Sequence, residues 1–358
     1  MAPKDAKHYV RDMKLGLLTL GDYLADPVTG AFQTQAERHR SIVEQAVLAE
    51  EVGFDSVHLG EHHFCNYVLA SPPVVLAAVA ERTQRVRLST GVTLAVNLDP
   101  VRVAEDYATL DLLSGGRVEP VIGRGTFFPH TFRAFGQDPK VAKEVFAENA
   151  EILVRLWSEE NVTWSGKHHV PLENVTVQPR PMQQPRPPIW VGAGTSTESV
   201  DLAARLGLWL MLPTVFGTPE TFRPIVDRYL EKWEEFGHDP ADRRIGMCSH
   251  AWVSSDYPSA KAEWEPRYKA YVDWVNQLIA ESMGRSDVNI GDFDFDARCS
   301  TLALAGSPQQ VAHRMCELQE LLHLDTYLLM FDMGGMPFAN IARTIELVGS
   351  SLLPQLAL

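Results

Sequence analysis

The chain has 358 residues, 45% hydrophobic and 22% charged, and no apolar run reaches the roughly 18 residues that suggest a membrane span. Lys+Arg 32 against Asp+Glu 46 leaves a net charge of −14, an acidic balance that repels phosphate backbones and anionic headgroups and argues against nucleic acid and membrane as partners. Cys65, Cys248, Cys299 and Cys316 are scattered without a CxxC pair, which argues against a disulfide framework or structural zinc and suits a reducing cytoplasm.

Residues 1–12 are polar, lack the apolar stretch of a secretory signal, and read as a loose, flexible leader. From Met13 short β-rich runs alternate with longer amphipathic segments, the order that builds a parallel sheet with crossover helices. Strands are predicted at Lys14–Leu20, Ser56–Gly60, Val86–Leu94, Val118–Gly123, Ile189–Gly192, Leu208–Leu212, Ile245–Val253 and Thr326–Met330. Eight strands close a barrel filled by its own side chains, so residues 13–358 read as one α/β domain, a (β/α)8 TIM barrel. Helices are predicted at Gln35–Val52, Val101–Leu113, Ala142–Trp157, Thr197–Leu206, Pro219–Phe236, Pro308–Leu322 and Ala339–Leu353. Ser307 before Pro308 has the makings of an amino-terminal cap, and Gly53 after Val52 those of a stop.

Two insertions break this rhythm, 158–188 after the fourth strand and 254–300 after the seventh. Loops after strand carboxyl ends overhang a barrel's active site, so 254–300 is a candidate lid; a passive surface excursion is the alternative.

The same rule directs attention to the residues that follow each strand. After the second stands Glu61-His62-His63-Phe64, where an imidazole titrating near neutrality can accept or donate a proton. Adjacent histidines diverge, and no spacing supplies a third metal ligand. Gly91, inside the β-branched run after Ser89, permits close backbone approach by a flat ligand, or marks a bulge. Arg124, between Gly123 and Gly125, offers forked donors to a phosphate, or serves a structural ion pair. Gly192-Ala193-Gly194-Thr195-Ser196 leads into a helix start, which suits an anion, or is only a cap. The loop Asp332–Pro337 after the eighth strand is a rival phosphate site.

Taken together, AEEVGFDSVHLGEHHF, VRLSTGVTLAVNLDPVRVAEDYATLDLLSGGRVEPVIGRG, FRAFGQDP, GSPQQVA and FDMGGMPFANIARTIELVGSSLLPQL resemble the bacterial luciferase-like flavin-dependent monooxygenases, from about Met13 to Leu353. The resemblance implies a barrel that binds reduced flavin mononucleotide (FMN), delivered by a separate flavin reductase. Oxygen would add to the flavin as a C4a-peroxy species and then oxygenate a small organic substrate. It maps the family's catalytic histidine to His62, a flavin contact to Glu61, and a non-prolyl cis peptide beneath the isoalloxazine ring to Gly91-Val92. Phosphate contacts map to Arg124 and to the loop holding Gly194, Thr195, Ser196 and Ser199. Light-emitting members carry an acidic residue at the position of Thr195 and a cysteine at that of Gly123, departures that point away from light emission. A homodimer is the assembly it implies. A deazaflavin-dependent hydride-transfer oxidoreductase on the same barrel, and a non-catalytic flavin-binding partner subunit, are the competing readings.

Overall fold

The computed structural model describes residues 13–125, 128–215, 217–284 and 290–356; the leader expected over residues 1–12 lies outside them. Its frame is a ring of short parallel strands, half of them buried along their whole length. In chain order these are β1 (Lys14–Thr19), β2 (Ser56–Leu59), β3 (Arg87–Thr90), β4 (Thr93–Leu94) and β5 (Val121–Gly123). After a two-stranded antiparallel hairpin, β6 (Val162–Trp164) and β7 (Leu172–Val175), come β8 (Trp190–Gly192), β9 (Trp209–Leu212), β10 (Ile245–Val253), β11 (Leu304–Gly306) and β12 (Thr326–Met330).

Hydrogen bonding runs β3-β2-β1-β12-β10-β9-β8-β5-β4, with β11 paired to β10 off this path. β3 and β4 are two halves of one stave, and a bridge between Leu88 and Val118 closes the ring. Counted by stave the barrel therefore has the eight members expected. Side chains such as Leu17, Leu59, Leu88, Val121, Leu210, Met247 and Leu329, all 1% exposed or less, form its core. An interior of this kind is held chiefly by apolar burial, roughly 25 cal/mol per Å².

The helices follow their sequence signals closely. Thr34 caps α1 (Gln35–Val52) with a reciprocal Glu37 box, and Gly53 ends it in the left-handed region at φ 106°. Asp99 caps α3 (Pro100–Ser114), and Ser307 caps α10 (Pro308–Leu322) with a Gln310 box. The remaining helices are α2 (Pro72–Arg82), α4 (Pro129–Ala134), α5 (Ala142–Ser158), α6 (Thr197–Arg205), α7 (Pro219–Glu235), α8 (Tyr257–Met283), α9 (Phe295–Thr301), α11 (Phe338–Leu347) and α12 (Leu353–Leu356).

Three local expectations need correction. The predicted strand Val86–Leu94 is interrupted, because the Gly91–Val92 peptide is cis and turns the chain between β3 and β4. The predicted strand Val118–Gly123 pairs only through Val118 before Val121, since Pro120 has no amide to give the ladder. Helix α2 was not anticipated: its run PPVVLAAVAER is nearly continuous in apolar residues, and Ser71 makes no side-chain cap.

Candidate active site

Glu61 leaves the end of β2 and turns inward, 4% exposed. Its Oε1 accepts from His63 Nε2 at 2.8 Å and its Oε2 from the Leu94 amide at 3.0 Å. The carboxylate thus ties the β2 loop to β4 just beyond the cis peptide. His62 points elsewhere: its amide donates to the Leu69 carbonyl at 3.0 Å, folding the loop so that its ring stacks on Tyr67 with centroids 4.0 Å apart. Phe128 meets the same ring edge-on at 5.6 Å. Burial first, then the neighbouring His63, pushes the His62 pKa down to about 3, so the imidazole is neutral at neutral pH. Its Nδ1 is buried without a hydrogen-bond partner among the described residues.

Below this loop the staves pack so tightly that only glycine fits. A Cβ on Gly91 would lie 2.7 Å from Leu18 Cδ1, and one on Gly123 would lie 2.6 Å from Val92 Cγ2. Val92 therefore lies across the ends of β5 and β8 as a small apolar floor. The turn around it is fixed by hydroxyls: Thr90 Oγ1 donates to the Val121 carbonyl at 2.9 Å, and Thr93 bonds both Thr90 and the buried Tyr107 phenol.

Arg124 follows β5 and is half-buried. Its guanidinium makes no hydrogen bond or ion pair among the described residues, so its forked donors are uncommitted. On the next stave Gly194 packs on Pro213, where a Cβ would come within 3.2 Å, and Thr195 is exposed. Ser196 caps α6 by accepting from the Ser199 amide at 3.3 Å, and the buried Ser199 hydroxyl donates to Ser196 Oγ at 3.2 Å. Ser196 in turn donates to Glu198, whose carboxylate is held down to about 2 by Lys143 first and by Ser196 among other contacts.

His62, the Gly91–Val92 peptide, Arg124 and the Gly194–Ser199 segment thus follow four adjacent staves, β2, β3/β4, β5 and β8, at one rim. The rival loop after β12 differs, because the Gly334 and Gly335 amides already donate to Asp22 Oδ2 at 2.7 and 3.4 Å. The two adjacent histidines diverge, one to Tyr67 and the other to Glu61. No group of three metal-ligating side chains occurs among the described residues.

The opposite half of the rim joins Asp332, from the rival loop, to Arg38, Asp22 and Thr19, which sequence reasoning missed. Arg38 of α1 reaches both Asp332, at 2.7 Å, and Asp22, at 3.2 Å, and Thr19 donates to the same Asp332 oxygen. Arg38, Asp22 and Asp332 open on a cavity of about 350 Å³ that Tyr23, Phe32 and Phe338 also line. A second cavity of about 280 Å³ lies after β9, walled by Thr218, His250, Tyr268 and Arg298. Helix α8, from the second insertion, spans the β2 loop: Tyr271 bonds Tyr67, Trp274 packs on Tyr67, and Ser282 bonds His130. Tyr67 carried no signal except its place in the loop after β2, and its hydroxyl partner Tyr271 lies 204 residues away.

A closed barrel whose carboxyl rim carries a half-buried imidazole, a glycine-lined floor and an arginine with no hydrogen bond or ion pair among the described residues belongs to the class of barrels that build their site from the loops at that rim. The luciferase-like monooxygenase profile matches residues 13–323, and the chain belongs to that family. It is 25% identical to the oxygenase component of the flavin-dependent trigonelline monooxygenase of Acinetobacter baylyi over 90% of this chain and 91% of that one. The crystal structure of monooxygenase RslO1 from Streptomyces bottropensis superposes with a TM-score of 0.82 at 30% identity, covering 96% of this chain and 99% of that one. Two more distant structures share the fold alone. The oxygenating constituent of 3,6-diketocamphane monooxygenase of Pseudomonas putida, in complex with FMN, gives 0.75 at 19% identity, covering 96% and 98%. The coenzyme F420-dependent tetrahydromethanopterin reductase of Methanopyrus kandleri gives 0.74 at 20%, covering 96% and 99%.

Proposed function

We propose that this protein is the oxygenase component of a two-component monooxygenase that takes reduced FMN from a separate flavin reductase and oxygenates a small organic molecule. The observation that carries the reading is the alignment of His62, the glycine-seated Val92 floor, Arg124 and the α6 amino terminus along adjacent staves. The residues fit the cofactor. Val92 offers an apolar face to a flat ring, and Arg124 keeps its guanidinium free for a phosphate. Gly194, Thr195, Ser196 and Ser199 add donors where the helix dipole favours an anion. Ser196 must then exchange Glu198 for the phosphate, with Lys143 retaining the displaced carboxylate. When bound, reduced FMN supplies the activation of dioxygen.

The chain's own residues do the rest. Glu61, with both oxygens taken, positions the β4 backbone beneath the cofactor. His62 does not titrate near neutrality as expected but is a neutral imidazole there, and we assign it the proton of the reaction as a hydrogen-bonding ring whose Nδ1 is uncommitted among the described residues. Helix α8 roofs the β2 loop and excludes water there. The substrate occupies the half of the rim that the cofactor leaves, where the two cavities lie. A homodimer in the cytoplasm is the assembly we assign.

The F420-dependent neighbour makes a deazaflavin hydride-transfer enzyme the second reading. Anaerobic titration separates the two: tight binding of reduced FMN, followed by transfer of labelled oxygen from O2 into a product, is expected. Binding and turnover with reduced deazaflavin alone would reverse the assignment.

A further inference from the structure

Helix α8 carries Tyr268, Tyr271 and Trp274 at three-residue spacing, and these side chains meet His250 and Tyr67. Tyr268 bonds His250 Nδ1 at 2.9 Å. Tyr271 bonds the Tyr67 hydroxyl at 2.9 Å, and the Trp274 ring meets the Tyr67 ring at 4.7 Å. Tyr67 is 7% and Tyr271 4% exposed, so the bond between them is dry and its loss would not be made good by bulk water. Tyr67 is held from every side: its backbone bridges to Asp22, its hydroxyl is fixed by α8, and its face stacks on His62 at 26° between planes.

We propose that Tyr67 and Tyr271 are a positioning pair for His62, in which the phenol–phenol bond clamps Tyr67 flat against the imidazole and so makes the seating of α8 a condition for an ordered His62 with its Nδ1 shielded from water. This rests on the reading of His62 as the group that handles the proton. Ordinary packing of α8 would need only the two rings; the pair as built also needs both oxygens. The titratable and charged groups around the cluster are His63 and Cys65 on the same loop, Asp22 and Asp332 at the ends of β1 and β12, His250 on β10, Tyr268 on α8 and His130 on α4. None of these lies on the hydroxyl-to-hydroxyl contact itself.

The test removes one oxygen at a time, with Tyr67→Phe, Tyr271→Phe and the double variant. In flavin-free protein, NMR of labelled histidine, with the His62 signal assigned by its loss in His62→Ala, reports the imidazole directly. The wild-type ring should protonate only near its depressed value of about 3, and each single variant should titrate at least about one pH unit higher as the ring is freed from Tyr67 and its shielded Nδ1 meets water. With reduced FMN, O2 and substrate, each single variant should lose about 10-fold in product per oxygen consumed. The balance should appear as oxidised flavin and hydrogen peroxide, with substrate KM unchanged. The double variant should be no worse than either single, because both delete the same bond. An unchanged His62 titration and unchanged coupling in both single variants, with His62→Ala inactive, overturns the pair and leaves His62 standing. Additive losses also overturn it. An active His62→Ala removes His62 from the chemistry, while the flavin-free titration still decides whether the pair governs the ring.

Discussion

The proposed function gives His62 and Arg124 separable tasks, and substitution should separate them. His62→Ala should bind reduced FMN as the native chain does but lose at least about 100-fold in product formation, the usual worth of a placed proton-handling group. Near-normal product yield would exclude it from the mechanism. Arg124→Ala should weaken FMN more than riboflavin, since only the former carries the phosphate; equal weakening of both would contradict a phosphate role. Gly123 tests the floor. A Cβ there would sit 2.6 Å from Val92, so Gly123→Ala should destabilise the fold by about 1–3 kcal/mol and impair flavin binding, both read by thermal melts and fluorescence quenching.

Among elements, the ends of β1 and β12 and the start of α1 meet in one guanidinium shared by two carboxylates. Burial raises Asp22 to about 6 against the pull of Arg38, with Asp332 pushing the same way. An acid whose folded value is raised binds its proton more tightly in the folded than in the unfolded chain. Its contribution is therefore full below the ordinary 3.8 and is lost as pH rises through about 6. Asp22→Asn removes that titration. The stability of the variant relative to the native chain should rise between about pH 4 and pH 7 by up to about 3 kcal/mol, at about 1.4 kcal/mol per pKa unit. Urea midpoints of both proteins across that range check it, and a constant difference would show that Asp22 is ionised throughout.

For the whole molecule the dominant acid response comes from histidines. Burial lowers His58, His62 and His250 to about 3. Each contributes stability that is complete above 6.5 and is lost as pH falls toward about 3, opposite in sign to Asp22. Each of these shifts is larger than that of Asp22, and the raised Glu119 and Asp325 carboxyls offset them only in part, so denaturant midpoints should fall from pH 6.5 to 4, and His58→Asn should flatten that slope. The 254–300 segment answers at the same scale. Because α8 rests on the β2 loop and on α4, reduced FMN and substrate together should protect 254–300 from limited proteolysis; unchanged cleavage would make it a passive excursion.

Strand positions, most helices and the stave-end rule were legible from residues 14 to 353, because burial in a barrel writes short apolar runs and caps write Ser, Thr, Asp and Gly at fixed offsets. By those rules His62, Gly91, Arg124 and the α6 start could be found from one chain. Composition and local pattern alone determined that eight apolar strands would alternate with helices and that their carboxyl ends would bear the polar residues. Contacts between segments far apart in sequence were decided only by the closed ring. It gave both Glu61 oxygens to protein donors, filled the Gly334 and Gly335 amides with Asp22, and laid Tyr271 on Tyr67. A side chain's chemistry is local, but its partners are set by which stave ends the barrel brings to one rim.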